Sequence, residues 1–332
     1  MARMLYIILA FVAIARAMEL GVGFSFSFDY GTASVAYPNG TVASVIRVDG
    51  DESYSSMMRN QTWIRPQDGG KYFTLDVTEQ PSFLTRVGRL LPRQRNDDTS
   101  NGALQHMLDQ LQTAVVSHIG GDIQSAHIVF PLKPSNNLTT ALEQSTRALN
   151  MQELRVRQWA SIAAALPFSD PHEGCDPPYQ EKVLLTVDYS RAGVTAALAS
   201  ECCGMIAPQR AFHDLDPVIN GTNITDAERI VTLLHTLISQ PILDSDGDNL
   251  HGLDKIILMG ELGSTSELRT MLEKVLDLGP SSGMVDKKYV AQDAPYGPLF
   301  VASAGAALDS LYWQQNAWLR EAEADGISAC PL

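Results

Sequence analysis

Apolar and polar residues alternate along 22–28, and apolar positions recur through 34–37 and 41–48. A period of two marks half-buried strands. Between these runs, Asp29-Tyr30-Gly31-Thr32 and Pro38-Asn39-Gly40 carry turn chemistry, so the pattern predicts a three-stranded meander. Residues 49–102 lose this regularity and are rich in Arg, Asp, Asn and Gln. They predict a loop-rich region with one short helix near 82–90. The spacing then changes. Leu104, Met107, Leu108, Leu111, Val115 and Ile119 fall on one face of a 3.6-residue period, which predicts a helix over 103–119. A short buried strand is predicted at 127–131, a helix at 137–150, a strand at 154–156 and a helix beginning at 159–166.

Residues 168–180 hold three prolines, a glycine and Cys175, and mark a boundary. Beyond it the logic of the first half returns. Strands are predicted at 182–187 and 194–200 around a turn at 188–193. A helix follows at 225–239, a strand at 255–259 entering Gly260-Glu261-Leu262-Gly263-Ser264, a helix at 266–276 and a final helix at 302–313. Each half therefore opens with strand, Asp-containing turn and strand, then adds strand–helix units. That repetition predicts an α/β architecture with internal duplication.

Composition adds limits. The chain has 332 residues, 45% hydrophobic and 19% charged, with a net charge of -14. This is globular composition, and its acidity argues against a nucleic-acid partner, which requires a basic face. Residues 1–17 combine a basic start, an apolar run and Ala15-Arg16-Ala17, the pattern of a cleaved signal peptide. That run falls short of a membrane span, and no comparable run follows. Asn39, Asn60, Asn137, Asn220 and Asn223 each begin an N-x-T triplet. Five such triplets exceed chance and predict a glycoprotein, secreted or resident in the ER lumen. The cysteines are Cys175, Cys202, Cys203 and Cys330. An even number permits disulfides, with three connectivities open. No Cys-x-x-Cys is present, and zinc is not expected.

The order of landmarks carries a resemblance. The segments VVSHIGGDIQSAHIVFP at 115–131, TTALEQSTRALNMQELRVRQWASIAAA at 139–165 and ASAGAA at 302–307 resemble, in sequence order, elements of the actin, sugar-kinase and heat-shock ATPase superfamily. The nearest likeness is to the nucleotide-binding domain of the seventy-kilodalton heat-shock chaperones. The resemblance implies a two-lobed actin-like ATPase fold, a duplicated ribonuclease-H-like unit. Lobe I would span 18–170 and lobe II 171–332, with the closing helix at 302–320 returning to lobe I. The lengths of 49–102 and 200–254 imply reduced peripheral subdomains. As a chaperone relative, the chain is expected to lack the peptide-binding half.

The same resemblance implies a site for ATP or ADP with Mg²⁺. In that family two Asp-Gly hairpins face each other across a cleft, because glycines let backbone N–H groups approach phosphate and a carboxylate orders the metal. The first hairpin matches Asp29, Gly31 and Thr32; a second register puts Ser25 where the aspartate belongs. The second hairpin keeps Asp188 and Gly193, but Ser190, Arg191 and Ala192 replace the glycine triplet and Thr195 replaces the second acid. Arg191 is expected either to contact phosphate or to pair with Asp29 or Asp188 as a lock. Gly260, Glu261, Gly263 and Ser264 match the adenosine loop. Asp29 and Asp188 are thus the expected catalytic and metal-ordering residues. The only lysine in 49–102, Lys71, does not match the family's catalytic lysine convincingly.

The expectation is a divergent chaperone-like ATP-binding protein of the secretory pathway, with weak or no hydrolysis and an unidentified protein partner. The alternative is a pseudo-ATPase interaction module that binds no nucleotide. Sugar-kinase activity is disfavoured, since no substrate loop of that kind is recognisable. The acidic run 244–249, the basic tract 86–95 and the aromatic residues Tyr312, Trp313 and Trp318 are read as a solvated loop, a solvated loop and a mainly buried helix face.

Overall fold

The computed structural model describes residues 20–60, 73–74, 97–154, 158–169, 181–215, 224–240, 242–243, 249–250, 252–278 and 296–316. The leader, the predicted helix at 82–90, Lys71, the tract 86–95, Cys175, Asn220, Asn223, the acidic run 244–248, Trp318 and Cys330 lie outside the described residues.

The protein is mixed α/β and contains two mixed sheets. Strands β1 (Gly21–Phe26), β2 (Tyr30–Ala36) and β3 (Val42–Asp49) form the predicted meander. Strand β4 (Phe73–Thr74) and helices α1 (Glu52–Asn60) and α2 (Asp97–Ile119) follow. Strand β5 (Ser125–Phe130) runs parallel to β1. After α3 (Asn136–Ala148), the short strands β6 (Gln152–Glu153) and β7 (Gln158–Trp159) pair with β5. Helix α4 (Ala160–Ala165) ends this half.

The second sheet repeats the plan. Strands β8 (Lys182–Ser190), β9 (Gly193–Cys202) and β10 (Met205–Asp214) form another antiparallel meander. Helix α5 (Ile224–Ser239) and the hairpin of β11 (Ile242–Leu243) and β12 (Asn249–Leu250) come next. Strand β13 (Lys255–Met259) then lies parallel to β8, as β5 lies parallel to β1. Strand β4 pairs with β10 and extends this sheet from the first half of the chain. Helices α6 (Ser266–Leu278) and α7 (Val301–Gln315) complete the order.

Strand alternation explains the layers. On β1, Val22, Phe24 and Phe26 enter a core with Leu104, Leu108 and Leu111 of α2. On β8, Val183, Leu185 and Val187 meet Leu234 of α5 and Leu268 of α6. The opposite faces turn toward α4 and α7. There Leu184, Ile257 and Met259 meet Ala160, Ala163, Ala164, Val301, Ala302 and Ala306. A β-carbon on Gly23 would stand on the carbonyl of Ser303, and one on Gly305 would meet the carbonyl of Ala163. Small residues thus let β1, α7 and α4 approach at backbone distance. Val22 N–H donates to Ser310 Oγ at 3.2 Å, and Gln314 donates to the Leu20 carbonyl at 3.1 Å. His127 of β5 places Nδ1 2.7 Å from Asp309 Oδ2 of α7, deep in the same layer.

Two elements depart from the sequence reading. Helix α1 forms where a loop is predicted, because Tyr54, Met57 and Met58 supply a three-residue apolar stripe. Strand β10 is absent from the prediction. Its Pro208 interrupts the pattern, and the register shifts between Pro208 and Arg210. Of the strand expected at 154–156, residues 155–156 lie outside the described residues, while Leu154 N–H donates to the Ala126 carbonyl at 3.0 Å. Trp313 is buried and Tyr312 is 46% exposed. No helix among the described residues is long and apolar enough to cross a membrane.

Candidate functional site

The site lies where the ends of β1 and β8 approach the loop after β13. Its carboxylates arrive by different routes. Asp188 stands in β8, within the sheet rather than in the predicted turn, and pairs with Thr195. The turn beyond it is only Arg191-Ala192, with Ser190 opposite Gly193. Asp29 sits in the connection between β1 and β2. Its carbonyl accepts from Gly50 N–H at 2.8 Å, and Tyr54 Oη of α1 donates to the Ser27 carbonyl at 2.8 Å, pinning that turn.

The strand registers identify the internal counterparts. Ser25 pairs with Thr32 as Asp188 pairs with Thr195. Ser25 also neighbours Val129 on parallel β5, while Asp188 neighbours Met259 on parallel β13. The position that holds a carboxylate in the second sheet therefore holds Ser25 in the first. This is the second of the two registers read from the sequence. Asp29 nonetheless remains near enough for its charge to act on Asp188.

Glu261 completes an acidic group. Burial, then the charges of Asp29 and Glu261, push the Asp188 carboxyl up to about 7. Burial and Glu261 raise Asp29, against the opposing pull of Arg47 and Arg59. Oδ1 of Asp29 and Oδ1 of Asp188 are both shut away and find no hydrogen-bond partner among the described residues. Asp188 still keeps some solvent-facing surface on its other side.

The cation that answers this group is Arg47, from β3 of the first sheet. Its Nη1 lies 2.7 Å from Glu261 Oε2 and its Nη2 lies 2.8 Å from Asp49 Oδ1. Its guanidinium sits 4.7 Å from the centre of the Tyr30 ring. The Glu261 side chain is only 6% exposed. Arg191 is seen at Glu261 rather than at Asp29 or Asp188. Its side chain is 77% exposed, its backbone N–H donates to Glu261 Oε1 at 3.1 Å, and its Nε lies 3.4 Å from the same oxygen. A lock therefore exists, but it joins Arg47 to Glu261.

The glycines expected to cradle phosphate are packed against protein. A β-carbon on Gly31 would meet Met107 Sδ of α2 at 2.9 Å, and one on Gly193 would strike the Asp214 carbonyl. A β-carbon on Gly260, at φ +86°, would meet Asp188 Oδ1 and the Tyr189 carbonyl, and one on Gly263 would come within 2.5 Å of the Met259 carbonyl. Thr32 and Ser190 are buried, and Ser264 is exposed. The cavity beside Asp188, bounded by Pro131, Ser161, Thr186 and Met259 among others, holds about 10 Å³, room for about one water. Among the described residues, no three of His, Cys, Asp and Glu converge as metal ligands.

No protein-family model matches the chain, and no curated protein matches it significantly.

Proposed function

We propose that this chain is a pseudo-ATPase, an interaction module built on a duplicated actin-like ATPase frame. The repeated strand plan supports the frame: a meander with a parallel strand beside its first member occurs twice, at β1–β3 with β5 and at β8–β10 with β13. The family likeness of the sequence landmarks adds to it. The loss of hydrolysis rests on one observation above all. Arg47 of the first sheet and Glu261 of the loop after β13 lie 2.7 Å apart, and the charges of both act on Asp29. Phosphoryl transfer depends on positioned donors and metal. Here Ser25 holds the ladder position that Asp188 holds in the second sheet, and a β-carbon on the candidate glycines Gly31, Gly193, Gly260 and Gly263 would meet protein.

A second reading, ATP or ADP binding with Mg²⁺ and slow turnover, draws on the two unpartnered carboxylate oxygens of Asp29 and Asp188. Opening of the Arg47–Glu261 pair would be its first requirement. Titration calorimetry and thermal melts with Mg·ATP separate the readings. No heat and no rise in melting temperature at millimolar Mg·ATP is the expected result; a rise that grows with ligand concentration overturns the pseudo-ATPase reading. Export and glycosylation belong to the same proposal. Asn39, Asn60 and Asn137 are all exposed acceptors.

A further inference from the structure

The tip of the β9–β10 hairpin brings three sulfur atoms into four residues, Cys202-Cys203-Gly204-Met205. Cys203 and Gly204 form the two-residue turn with φ of 54° and 72°, the left-handed pair that a tight hairpin requires. Left-handed backbone is uncommon for a residue with a side chain. Its consequence here is chemical. Neighbours in an extended strand point to opposite faces, whereas these two thiols stand with their sulfurs 3.9 Å apart. Both are free cysteines and both are partly exposed. Met205 pairs directly with Cys202 across the ladder, and directly opposed residues project from the same face. Met205 is also 50% exposed, one of two large apolar side chains that stand out to solvent among the described residues.

The spacing selects the bridge. Adjacent Cα atoms across a trans peptide are about 3.8 Å apart, below the roughly 4.4–6.8 Å that disulfides span. A direct bond would also require the sulfurs to close by nearly 2 Å. Two thiolates on one metal, with metal–sulfur bonds of about 2.3 Å, stand about 3.8 Å apart at the tetrahedral angle and about 4.0 Å apart at the trigonal angle of a three-donor site. The observed 3.9 Å falls in that range. Thiolate and thioether donors together are soft and favour Cu(I), while zinc asks for four ligands.

We propose that this hairpin tip is a soft-metal site in which Cys202 and Cys203, as thiolates, and Met205, as thioether, take one monovalent cation of the Cu(I) class. Each thiol that binds gives its proton to solvent, and the metal keeps its oxidation state. The proposal is independent of the nucleotide reading.

The test is an anaerobic titration of the reduced full-length chain with Cu(I) presented by a chromophoric competitor. One equivalent per chain should pass to the wild type and to the Cys175→Ser/Cys330→Ser variant. Cys202→Ser/Cys203→Ser should lose uptake at least a hundredfold, and Met205→Leu about tenfold. Cys203→Ser alone, altered only in the turn, provides the same comparison if the double variant does not fold. Undiminished uptake by the Cys202/Cys203 variants overturns the proposal. So does peptide mapping of the native chain that finds Cys202 or Cys203 in a disulfide with Cys175 or Cys330.

Discussion

Arg47 of β3 and Glu261 of the loop after β13 lie 2.7 Å apart, although they belong to different sheets. The glutamate is almost wholly enclosed, and the arginine also serves Asp49 and rests on Tyr30. Beneath this pair lie two carboxylates whose ionisation the fold opposes, Asp29 and Asp188. A single guanidinium therefore both ties the sheets and offsets an acidic group.

Arg47→Ala should destabilise the chain by about 1–3 kcal/mol at pH 8, because it leaves an enclosed carboxylate short of its main cation. The loss should be smaller at pH 5, where protonation relieves Asp188. Urea midpoints at both pH values measure it. A double-mutant cycle with Glu261→Gln should return a coupling above about 0.5 kcal/mol; additive effects would sink the latch.

Asp188 has its folded-state pKa above its unfolded value, so protonation favours the fold. Its contribution is complete below about pH 4 and is lost as pH rises to about 7. Asp188→Asn keeps the shape without the charge. The variant should match the wild type at pH 4 and exceed it at pH 8 by roughly 1–3 kcal/mol. Equal stability at pH 8 would contradict the enclosure of this carboxyl.

Gly305→Ala should cost more than about 3 kcal/mol, or prevent folding, since the added methyl lands on the Ala163 carbonyl in a layer made of backbone contacts. Gly40→Ala is the control for strain alone, because its left-handed turn has open space around it. It should lose only about 1 kcal/mol. Chemical denaturation ranks the two.

Asn39 should carry glycan when the chain is expressed through a eukaryotic secretory route. Its Oδ1 accepts from Thr41 N–H at 3.0 Å and from Thr41 Oγ1 at 2.7 Å, in an exposed turn. Endoglycosidase treatment followed by intact-mass measurement should remove at least three glycans, at Asn39, Asn60 and Asn137. An unmodified mass would remove the case for export.

The first meander, the β8–β9 hairpin, the helix of Leu104 to Ile119 and the strand entering Gly260 were legible because each keeps one clean period over its length. The repeated strand order was legible because both halves keep it in the same order. What escaped depended on partners distant in sequence. Nothing local to Arg47 announces Glu261, 214 positions away. The choice between Ser25 and Asp29 rested on ladder register, which only the pairing with Thr32 and Val129 supplies. Adjacent residues of a regular strand, as Cys202 and Cys203 are by sequence, point to opposite faces. The left-handed turn at Cys203 reverses that geometry.

Helix α7 lies against the very first strand, with Gly21 and Gly23 shaped to receive Ala307 and Ser303. Nearly three hundred residues separate the partners, so this surface of the opening sheet has nothing to cover it while the intervening chain emerges from the ribosome. Closure comes only after residue 315 has been made, as a late, long-range docking step that slows folding. Stalling or truncation before that point would leave the amino-terminal half exposed along its glycine groove.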